Sequence, residues 1–299
     1  MTSPDGSATP DDQRRAVEGA MERVAELVAA GYEVTLTHGN GPQVGNLLVK
    51  NQLAAKIVPP VPLDWCGAQT QATIGVLVLN ALDRALARRG VDRPVTVVVT
   101  RTLVDADDPA FGKPTKPIGR YYSAQEAEVF KGLGQHWESF GAKGWRRVVA
   151  SPEPLEILDG VSVRALMSAG HLVVAAGGGG VPVARDDQGG LRGLEAVIDK
   201  DRAAAVLAAD IGAETLVIAT DVENAMVGFG TPRQRPLGRV SADELAAYAA
   251  AGHFARGSMG PKVEAALRFI DAGGARAAIT SLEFITDAVG GKAGTVIEG

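Results

Sequence analysis

Apolar residues recur at helical spacing near the start of the chain and gather in short β-rich runs further along it. Positions 17, 20, 21, 24, 27 and 28 are apolar and would line one face of a helix. Thr9-Pro10 is a start signal for this helix and Gly31 a stop signal. Strands are predicted at Glu33 to Thr37, Val95 to Thr100, Arg147 to Ala150, Leu172 to Ala176, Thr215 to Thr220 and Arg276 to Thr280.

Helical patterns separate most of these strands, and this alternation is typical of an α/β fold. It predicts a mainly parallel sheet that is covered by helices on both faces. Ligands of such sheets bind beyond the carboxyl ends of the strands. Gly39 and Gly41 follow the first predicted strand, Gly177 to Gly180 follow the fourth, and Asp221 follows the fifth. We therefore expect these residues to mark the site.

Composition narrows the class of protein. The chain has 299 residues, 46% of them apolar, and a net charge of -5, so we expect a globular protein without nucleic-acid or membrane partners. The single cysteine, Cys66, suits a reducing cytoplasm, and packing is its expected role. The first dozen residues do not resemble a signal peptide, and no apolar run approaches the ~20 residues of a membrane span.

The segment His38 to Gly45 has the composition of an anion cradle. Gly39, Asn40 and Gly41 directly follow a predicted strand, and glycines allow backbone N–H groups to close on a phosphate or carboxylate. Pro42 suits the first position of a following helix, whose positive end would face the ligand. A plain tight turn is the alternative interpretation, and we favour the cradle because the Gly-Asn-Gly-Pro-Gln combination is so particular.

One segment interrupts the alternation. Asp105 to Tyr122 is rich in proline and glycine around Lys113 and Lys116, and Ser123 with Glu126 forms a capping box for a helix. We predict an excursion from the sheet that acts as a lid or binding arm. The alternative is a surface loop with two solvated lysines. The setting of Lys116 between threonine and proline favours an aimed ammonium group.

Two further lysines lie at predicted helix starts. Lys200 stands between Asp199 and Asp201, and Lys262 follows a Gly-Ser-Met-Gly-Pro turn. Lysine is disfavoured at the positive end of a helix dipole, so we interpret both as functional cations, with Asp199 or Asp201 holding Lys200 in position. One misplaced lysine would be harmless, but together with Lys116 they indicate a polyphosphate ligand. The chain has no Walker A motif, and scattered lysines with glycine turns favour a kinase that acts by charge neutralisation.

Six motifs in order resemble those of carbamate kinases, which have the amino-acid kinase fold. They lie at residues 38–45, 62–71, 114–119, 144–149, 195–201 and 257–262. The resemblance implies a three-layer α/β/α sandwich with a protruding arm at about residues 104–143. It also implies phosphoryl transfer between ATP and carbamate, with ATP/ADP and Mg²⁺ required, and a cytoplasmic homodimer in arginine metabolism. A carbamate or carbamoyl-phosphate lobe would span residues 1–190 and a nucleotide lobe residues 191–299.

The resemblance also assigns roles to residues. Gly39, Asn40 and Gly41 would form the cradle on the carbamate side, and Lys116 would reach in from the arm. The residues expected to neutralise the phosphoryl group, or to orient those that do, are Lys200, Lys262, Asp199 and Asp201. The residues expected on the nucleotide side are Gly177, Gly178, Asp221, Ser258 and Met259. The ligands of the magnesium ion are left open.

One departure from the family pattern lies at the start. Carbamate kinases open with a strand that ends in Gly-Gly-Asn-Ala-Leu, whereas Met1 to Asp12 is polar here and leads directly into the first helix. We expect a shortened chain, because all later motifs survive. The alternatives are a catalytically impaired carbamate-kinase-like binding protein and a kinase of the same fold for another small acid.

Overall fold

The computed structural model describes residues 9–41, 43–255 and 257–299. The prediction that Pro42 opens a helix, and most of the polar opening segment, lie outside these residues. The helices are α1 Pro10–Ala29, α2 Gln43–Ala54, α3 Leu63–Arg88, α4 Pro109–Gly112, α5 Ala124–Lys131, α6 Gly160–Ser168, α7 Lys200–Asp210, α8 Ala242–Ala250, α9 Met259–Asp271 and α10 Ile285–Val289.

All six predicted strand regions contain a strand, although three of the strands are shorter than predicted. The strands are β1 Thr35–Leu36, β2 Val95–Val97, β3 Arg101–Leu103, β4 Lys116–Tyr122, β5 Trp137–Ser139, β6 Trp145–Val149, β7 Glu156–Ile157, β8 Leu172–Val174, β9 Val181–Arg185, β10 Leu191–Gly193, β11 Thr215–Thr220, β12 Met226–Val227, β13 Arg235–Pro236, β14 Arg239–Ser241, β15 Arg276–Ser281 and β16 Thr295–Glu298.

The first helix begins and ends where the sequence predicts. The Thr9 side chain accepts a hydrogen bond from the Asp12 N–H, and the Asp12 carboxylate accepts one from the Thr9 N–H, which completes a capping box. Pro10 is the first helical residue, and Gly31 just beyond the helix has a left-handed backbone. The predicted apolar face is confirmed, because Val17, Met21, Val24, Leu27 and Val28 are buried.

Strand β8 shows how the layers are built. It lies between β1 and β2, and both pairings are parallel. Its residues Leu172 and Val174 pack with α1 and α3, whereas Val173 packs on the opposite side with residues of α6 and α7. Successive side chains of a strand point to opposite faces, so helices cover this sheet on both sides. The α/β class with an α/β/α layering is therefore confirmed.

The second half of the chain builds another sheet in the order β11-β15-β16-β14. β11 pairs with β15 in parallel, and β14 pairs with β16 in parallel, but β15 and β16 are antiparallel. Phe269 of α9 packs with Ile279 and Ile297 in the core beside this sheet. In the four-stranded sheet β10-β9-β3-β7, β3 and β9 pair in parallel, whereas β10 and β7 are antiparallel to their neighbours. β12 and β13 form an antiparallel pair, so parallel and antiparallel pairings occur side by side in this molecule.

The predicted excursion forms a separate antiparallel sheet in the order β4-β6-β5. The Ser123–Glu126 capping box starts α5 as predicted. The rings of Tyr122, Phe130 and Trp137 pack together with centroids 5.1–5.6 Å apart. That this segment protrudes from the domain stays a prediction.

Strand β4 lies directly against α2. A Cβ atom on Gly45 of α2 would lie 2.7 Å from the Cα atom of Gly119 in β4. This distance is too short for a non-bonded contact, so there is no room for a side chain at position 45. A glycine at this position therefore lets α2 support the strand that begins with Lys116. Among the residues that the structure describes, none of the helices combines the length and apolar character of a membrane span.

Candidate functional site

A cavity of about 410 Å³ lies where the loops after β1 and β8 meet the amino-terminal ends of α7 and α9. Its wall includes Gly39, Asn40, Gly41, Lys116, Gly178, Asp199, Lys200, Asp201, Ser258 and Lys262. Most of the residues singled out from the sequence therefore line one cavity, although they come from widely separated parts of the chain. Helix ends contribute unpaired N–H groups and a positive dipole, so the cavity suits an anion.

The glycine-rich turns after β1 and β8 interlock at one end of the cavity. The Gly178 N–H donates to the His38 carbonyl at 2.6 Å, and Asn40 Nδ2 donates to the Gly178 carbonyl at 3.5 Å. Gly178 has a left-handed backbone with a φ of 66°, and a Cβ atom there would overlap the Asn40 side chain. Gly178, predicted on the nucleotide side, thus contacts the predicted carbamate-side cradle.

His38 shapes this turn from a partly buried position. Its Nδ1 lies 3.0 Å from the Gly39 carbonyl oxygen. Burial lowers the pKa of the imidazole, and the hydrogen bond to Gly39 only partly opposes that effect. His38 is therefore neutral near pH 7, and its contacts indicate a role in holding the Gly39–Gly41 backbone.

Lys116 enters the cavity from the first residue of β4. Its Nζ donates to the Ile198 carbonyl and to Asp199 Oδ2, each at 3.1 Å. Burial lowers the pKa of the Lys116 ammonium group, while the adjacent Asp199 carboxylate opposes that shift. The two lysines of this segment differ in location, because Lys116 lies in the cavity wall and Lys113 is exposed.

Asp199 binds Lys116 and also caps α7. Its Oδ1 accepts hydrogen bonds from the N–H groups of Asp201 and Arg202, at 3.0 and 3.3 Å. Burial alone would raise the pKa of Asp199, but Lys116 and these N–H groups outweigh burial and hold the pKa below its usual value. The carboxylate is therefore ionised at neutral pH and fixed at the start of the helix.

Asp201 binds the other two lysines. Lys200 Nζ lies 2.5 Å from Asp201 Oδ1, and Lys262 Nζ lies 3.0 Å from Asp201 Oδ2. Asp201 is buried, with 7% of its surface exposed, so water screens these pairs weakly. Two ammonium groups on one carboxylate leave one net positive charge beside the cavity, which favours a phosphate ligand.

The remaining predicted residues fall into two groups. Ser258 lines the cavity at the start of α9, and its side chain makes no capping bond to the helix. Met259 packs instead against the core beside α9, and Gly177 is buried behind the cavity wall. Asp221 is exposed just after β11 and accepts a hydrogen bond from Thr220 at 3.1 Å. Met259, Gly177 and Asp221 are therefore not part of the cavity wall among the described residues.

Some site residues were missed from the sequence. The Ile198 carbonyl binds Lys116, and Val197, Gly257 and Pro261 also line the cavity. A backbone carbonyl and apolar wall residues carry no recognisable chemical signal, although all four lie within motifs that were identified. The pairing of Lys116 with Asp199 joins residues 83 positions apart, and local spacing could not indicate it.

Comparisons with known proteins identify the family of this chain. The sequence profile of the Amino acid kinase family matches residues 5–281. The chain is 43% identical over 293 residues to a carbamate kinase of Thermococcus kodakarensis, covering 97% of this chain and 93% of that protein. It is 44% identical over 299 residues to the carbamate kinase-like protein YqeA of Escherichia coli, covering 98% and 96%.

A solved structure is also similar over the whole length. Carbamate kinase from Giardia lamblia bound to AMP-PNP superimposes with a TM-score of 0.93 at 41% identity, covering 100% of this chain and 95% of that chain. The sequence comparison and the structural comparison thus identify the same family. Identities of 41–44% are far higher than those of proteins that share only a fold. The chain belongs to the amino acid kinase family, and within that family to the carbamate kinases.

Proposed function

We propose that this protein transfers a phosphoryl group between carbamoyl phosphate and ADP, which is the carbamate kinase reaction. The observation that carries the proposal is the meeting of Lys116, Lys200 and Lys262 in one cavity with the Gly39–Gly41 turn. Three ammonium groups match the charge of a phosphoryl group in transfer, and the glycine turn leaves room for a small acid.

The reaction needs little covalent help from the protein. An oxygen of the ADP β-phosphate attacks the phosphorus of carbamoyl phosphate, and the bond from phosphorus to the carbamate oxygen breaks, which yields ATP and carbamate. Both the attacking and the departing oxygen are anionic, so no proton has to be transferred. Placement and charge neutralisation remain as the main tasks of the residues in the cavity.

Each lysine is proposed to exchange a carboxylate for phosphate oxygens. Lys116 would leave Asp199, while Lys200 and Lys262 would turn from Asp201 to the transferring group. We assign carbamate to the side of Gly39, Asn40 and Gly41. The nucleotide is assigned to the side of Gly177, Gly178, Asp221, Ser258 and Met259.

Magnesium is proposed to enter with the nucleotide phosphates. Mg²⁺ in phosphoryl-transfer sites is held by one or two carboxylates together with phosphate and water oxygens. Asp199 and Asp201 place carboxylates in the cavity wall, so the residues present fit such an ion. When bound, the ion supplies further neutralisation of the phosphate oxygens.

We also propose a cytoplasmic homodimer with a role in arginine metabolism, and a division into two lobes near residue 190. The lobe division is supported by the position of the cavity, whose wall takes residues from both sides of that boundary. The buried Cys66, whose thiol has a pKa raised mainly by burial, suits a reducing compartment. Light scattering coupled to size exclusion tests the dimer, since a single species of 30.9 kDa would contradict it.

The activity is tested by adding carbamoyl phosphate, ADP and magnesium to the purified full chain and measuring ATP with luciferase. We expect ATP to form faster than in a control without protein. No ATP from a chain with a cooperative melting transition would contradict the proposal. Carbamoyl phosphate binding without turnover would then favour the binding-protein alternative, and ATP formed from acetyl phosphate alone would favour a kinase of another small acid.

A further inference from the structure

Two arginines and two glutamates form an ion cluster behind the wall of the cavity. Arg202 lies on α7, Glu264 and Arg268 lie on α9, and Glu153 lies between β6 and β7. We call these four residues the Arg–Glu cluster. Its side chains are 28–39% exposed and its formal charges sum to zero.

Each carboxylate of the cluster bridges both guanidinium groups. Glu153 Oε2 accepts from Arg202 Nη1 at 3.1 Å and from Arg268 Nη2 at 3.2 Å, and Glu153 Oε1 also accepts from Arg268. Glu264 Oε2 accepts from Arg202 Nη2 at 2.7 Å, and its Oε1 accepts from Arg268 Nη2 at 2.8 Å. Charge-assisted bonds to planar guanidinium groups restrict orientation more than a single lysine pair does.

Two of the elements that meet in the cluster, α7 and α9, carry Lys200 and Lys262. Arg202 follows Lys200 by two residues on α7, and Glu264 follows Lys262 by two residues on α9. Residues two apart on a helix point to roughly opposite sides, so the cluster lies away from the reacting groups. The cluster therefore affects the positions of Lys200 and Lys262 through the helices that carry them, and not through contact with a ligand.

Glu153 extends the connection to the third lysine. It follows β6, in which Val149 is paired with Lys116 of β4. The Glu153 N–H donates to Asp108 Oδ2 at 2.9 Å, and Asp108 Oδ1 accepts from the Ala110 N–H at 2.7 Å as the cap of α4. α4 ends at Gly112, a few residues before Lys116 begins β4. Glu153 is therefore connected to the start of β4 in two ways, through β6 and through the cap of α4.

We propose that the Arg–Glu cluster is a positioning device that fixes α7, α9 and the base of β4 relative to one another, so that Lys116, Lys200 and Lys262 converge on the transferring phosphoryl group. This inference rests on the proposed function for its kinetic consequence. Its members are positioning residues, because they act through the lysine-bearing elements.

The test compares Glu153 with another glutamate that also pairs with two arginines. Glu298 bridges Arg239 and Arg276 in the second sheet and is 33% exposed, against 32% for Glu153. We expect Glu153→Gln to lower kcat by roughly tenfold with the KM for ADP within about twofold, because displaced lysines lose contacts made in the transition state. Glu298→Gln removes an equivalent charge from outside the cavity wall, so its kcat should stay within about twofold of wild type.

Equal kcat values for the two variants, each measured on protein with a cooperative melting transition, would overturn the inference. Glu264→Gln replaces Glu153→Gln if the latter does not fold. A crystal structure of the variant decides the question even if the wild-type chain makes no ATP. We expect Lys200 and Lys262 no longer to share Asp201, and unchanged contacts of 2.5 and 3.0 Å would count against positioning.

Discussion

Asp199 and Asp201 stand two residues apart at the start of α7, yet they hold cations in different ways. Asp199 binds one lysine, Lys116, which also donates to the Ile198 carbonyl. Asp201 binds two lysines, Lys200 and Lys262, one on each oxygen. The first group is a neutral pair, and the second group carries one net positive charge.

The difference separates two tasks that a phosphoryl-transfer site has to perform. The Asp201 side offers uncompensated positive charge to an incoming phosphate before any rearrangement. The Lys116 side offers it only after the ammonium group leaves Asp199, so its contribution increases as negative charge moves toward it. We therefore expect substitutions on the two sides to divide differently between kcat and KM.

Replacing Lys116 with alanine should have the largest effect. We expect kcat to fall by roughly 10² or more with the KM for ADP nearly unchanged, by analogy with the loss of one preorganised donor to an oxyanion. Steady-state kinetics of ATP formation measure both constants.

Lys113→Ala is the matched control, because Lys113 belongs to the same segment but is exposed. Its kcat should equal that of wild type. Similar small effects of the two substitutions would show that both lysines of this segment are ordinary surface charges, and the contrast between the two sides of the cavity would fail.

Asp201→Asn should have the next largest effect. The shared carboxylate holds Lys200 and Lys262 together, and asparagine leaves two ammonium groups without a counter-charge. We expect kcat to fall by roughly tenfold, because the lysines separate, and the KM for carbamoyl phosphate to fall as well, because the competing carboxylate charge is gone. A raised KM with unchanged kcat would contradict the assignment of these lysines to the transition state.

Asp199→Asn should change the pH dependence more than the rate. Asparagine still caps the helix, so the substitution isolates the charge. Burial lowers the pKa of Lys116 and Asp199 raises it, so removing the carboxylate lowers that pKa further. Activity requires the protonated amine and is lost as pH rises through its pKa.

The alkaline limb of the kcat/KM–pH profile, which reports groups of the free protein, should therefore move to lower pH in Asp199→Asn, with only a several-fold loss of kcat at the pH optimum. Profiles of wild type and variant at constant ionic strength provide the measurement. A limb that stays in place, or moves to higher pH, would show that another group controls it.

The smallest effect is expected outside the cavity. Glu18 of α1 binds Arg84 of α3, with side chains that are 48% and 57% exposed. Exposed ion pairs contribute about 0–1 kcal/mol, so Glu18→Gln should leave both kcat and the melting temperature nearly unchanged. A loss of kcat comparable to that expected for Glu153→Gln would remove the distinction between the Arg–Glu cluster and ordinary surface ion pairs.

Local patterns were sufficient to predict much of the fold. Thr9, Pro10 and Gly31 define α1 because capping and left-handed turns depend on neighbouring residues alone. The Ser123–Glu126 capping box was found for the same reason. The strand ends at β1, β8 and β11 could be located because apolar runs stop at glycine or polar residues.

The site was predicted as a set of residues but not as a network. Lys200 and Lys262 were identified from their positions at helix starts, and each does begin or closely follow the start of a helix. The sequence suggested that Asp199 or Asp201 holds Lys200, and only the structure shows that Asp199 binds Lys116 instead. The ion pairs of Glu153 span 49 to 115 residues, so no local pattern could indicate them.

The carboxylate of Asp201 has a consequence for selectivity. It lies between two ammonium groups, so an anion has to displace it in order to contact both lysines. A monoanion such as chloride or acetate exchanges one negative charge for another and gains little. A dianionic phosphoryl group brings two charges to two lysines, and the exchange favours it. The resting protein thus rejects the common small anions of its surroundings while it remains receptive to phosphate esters and anhydrides.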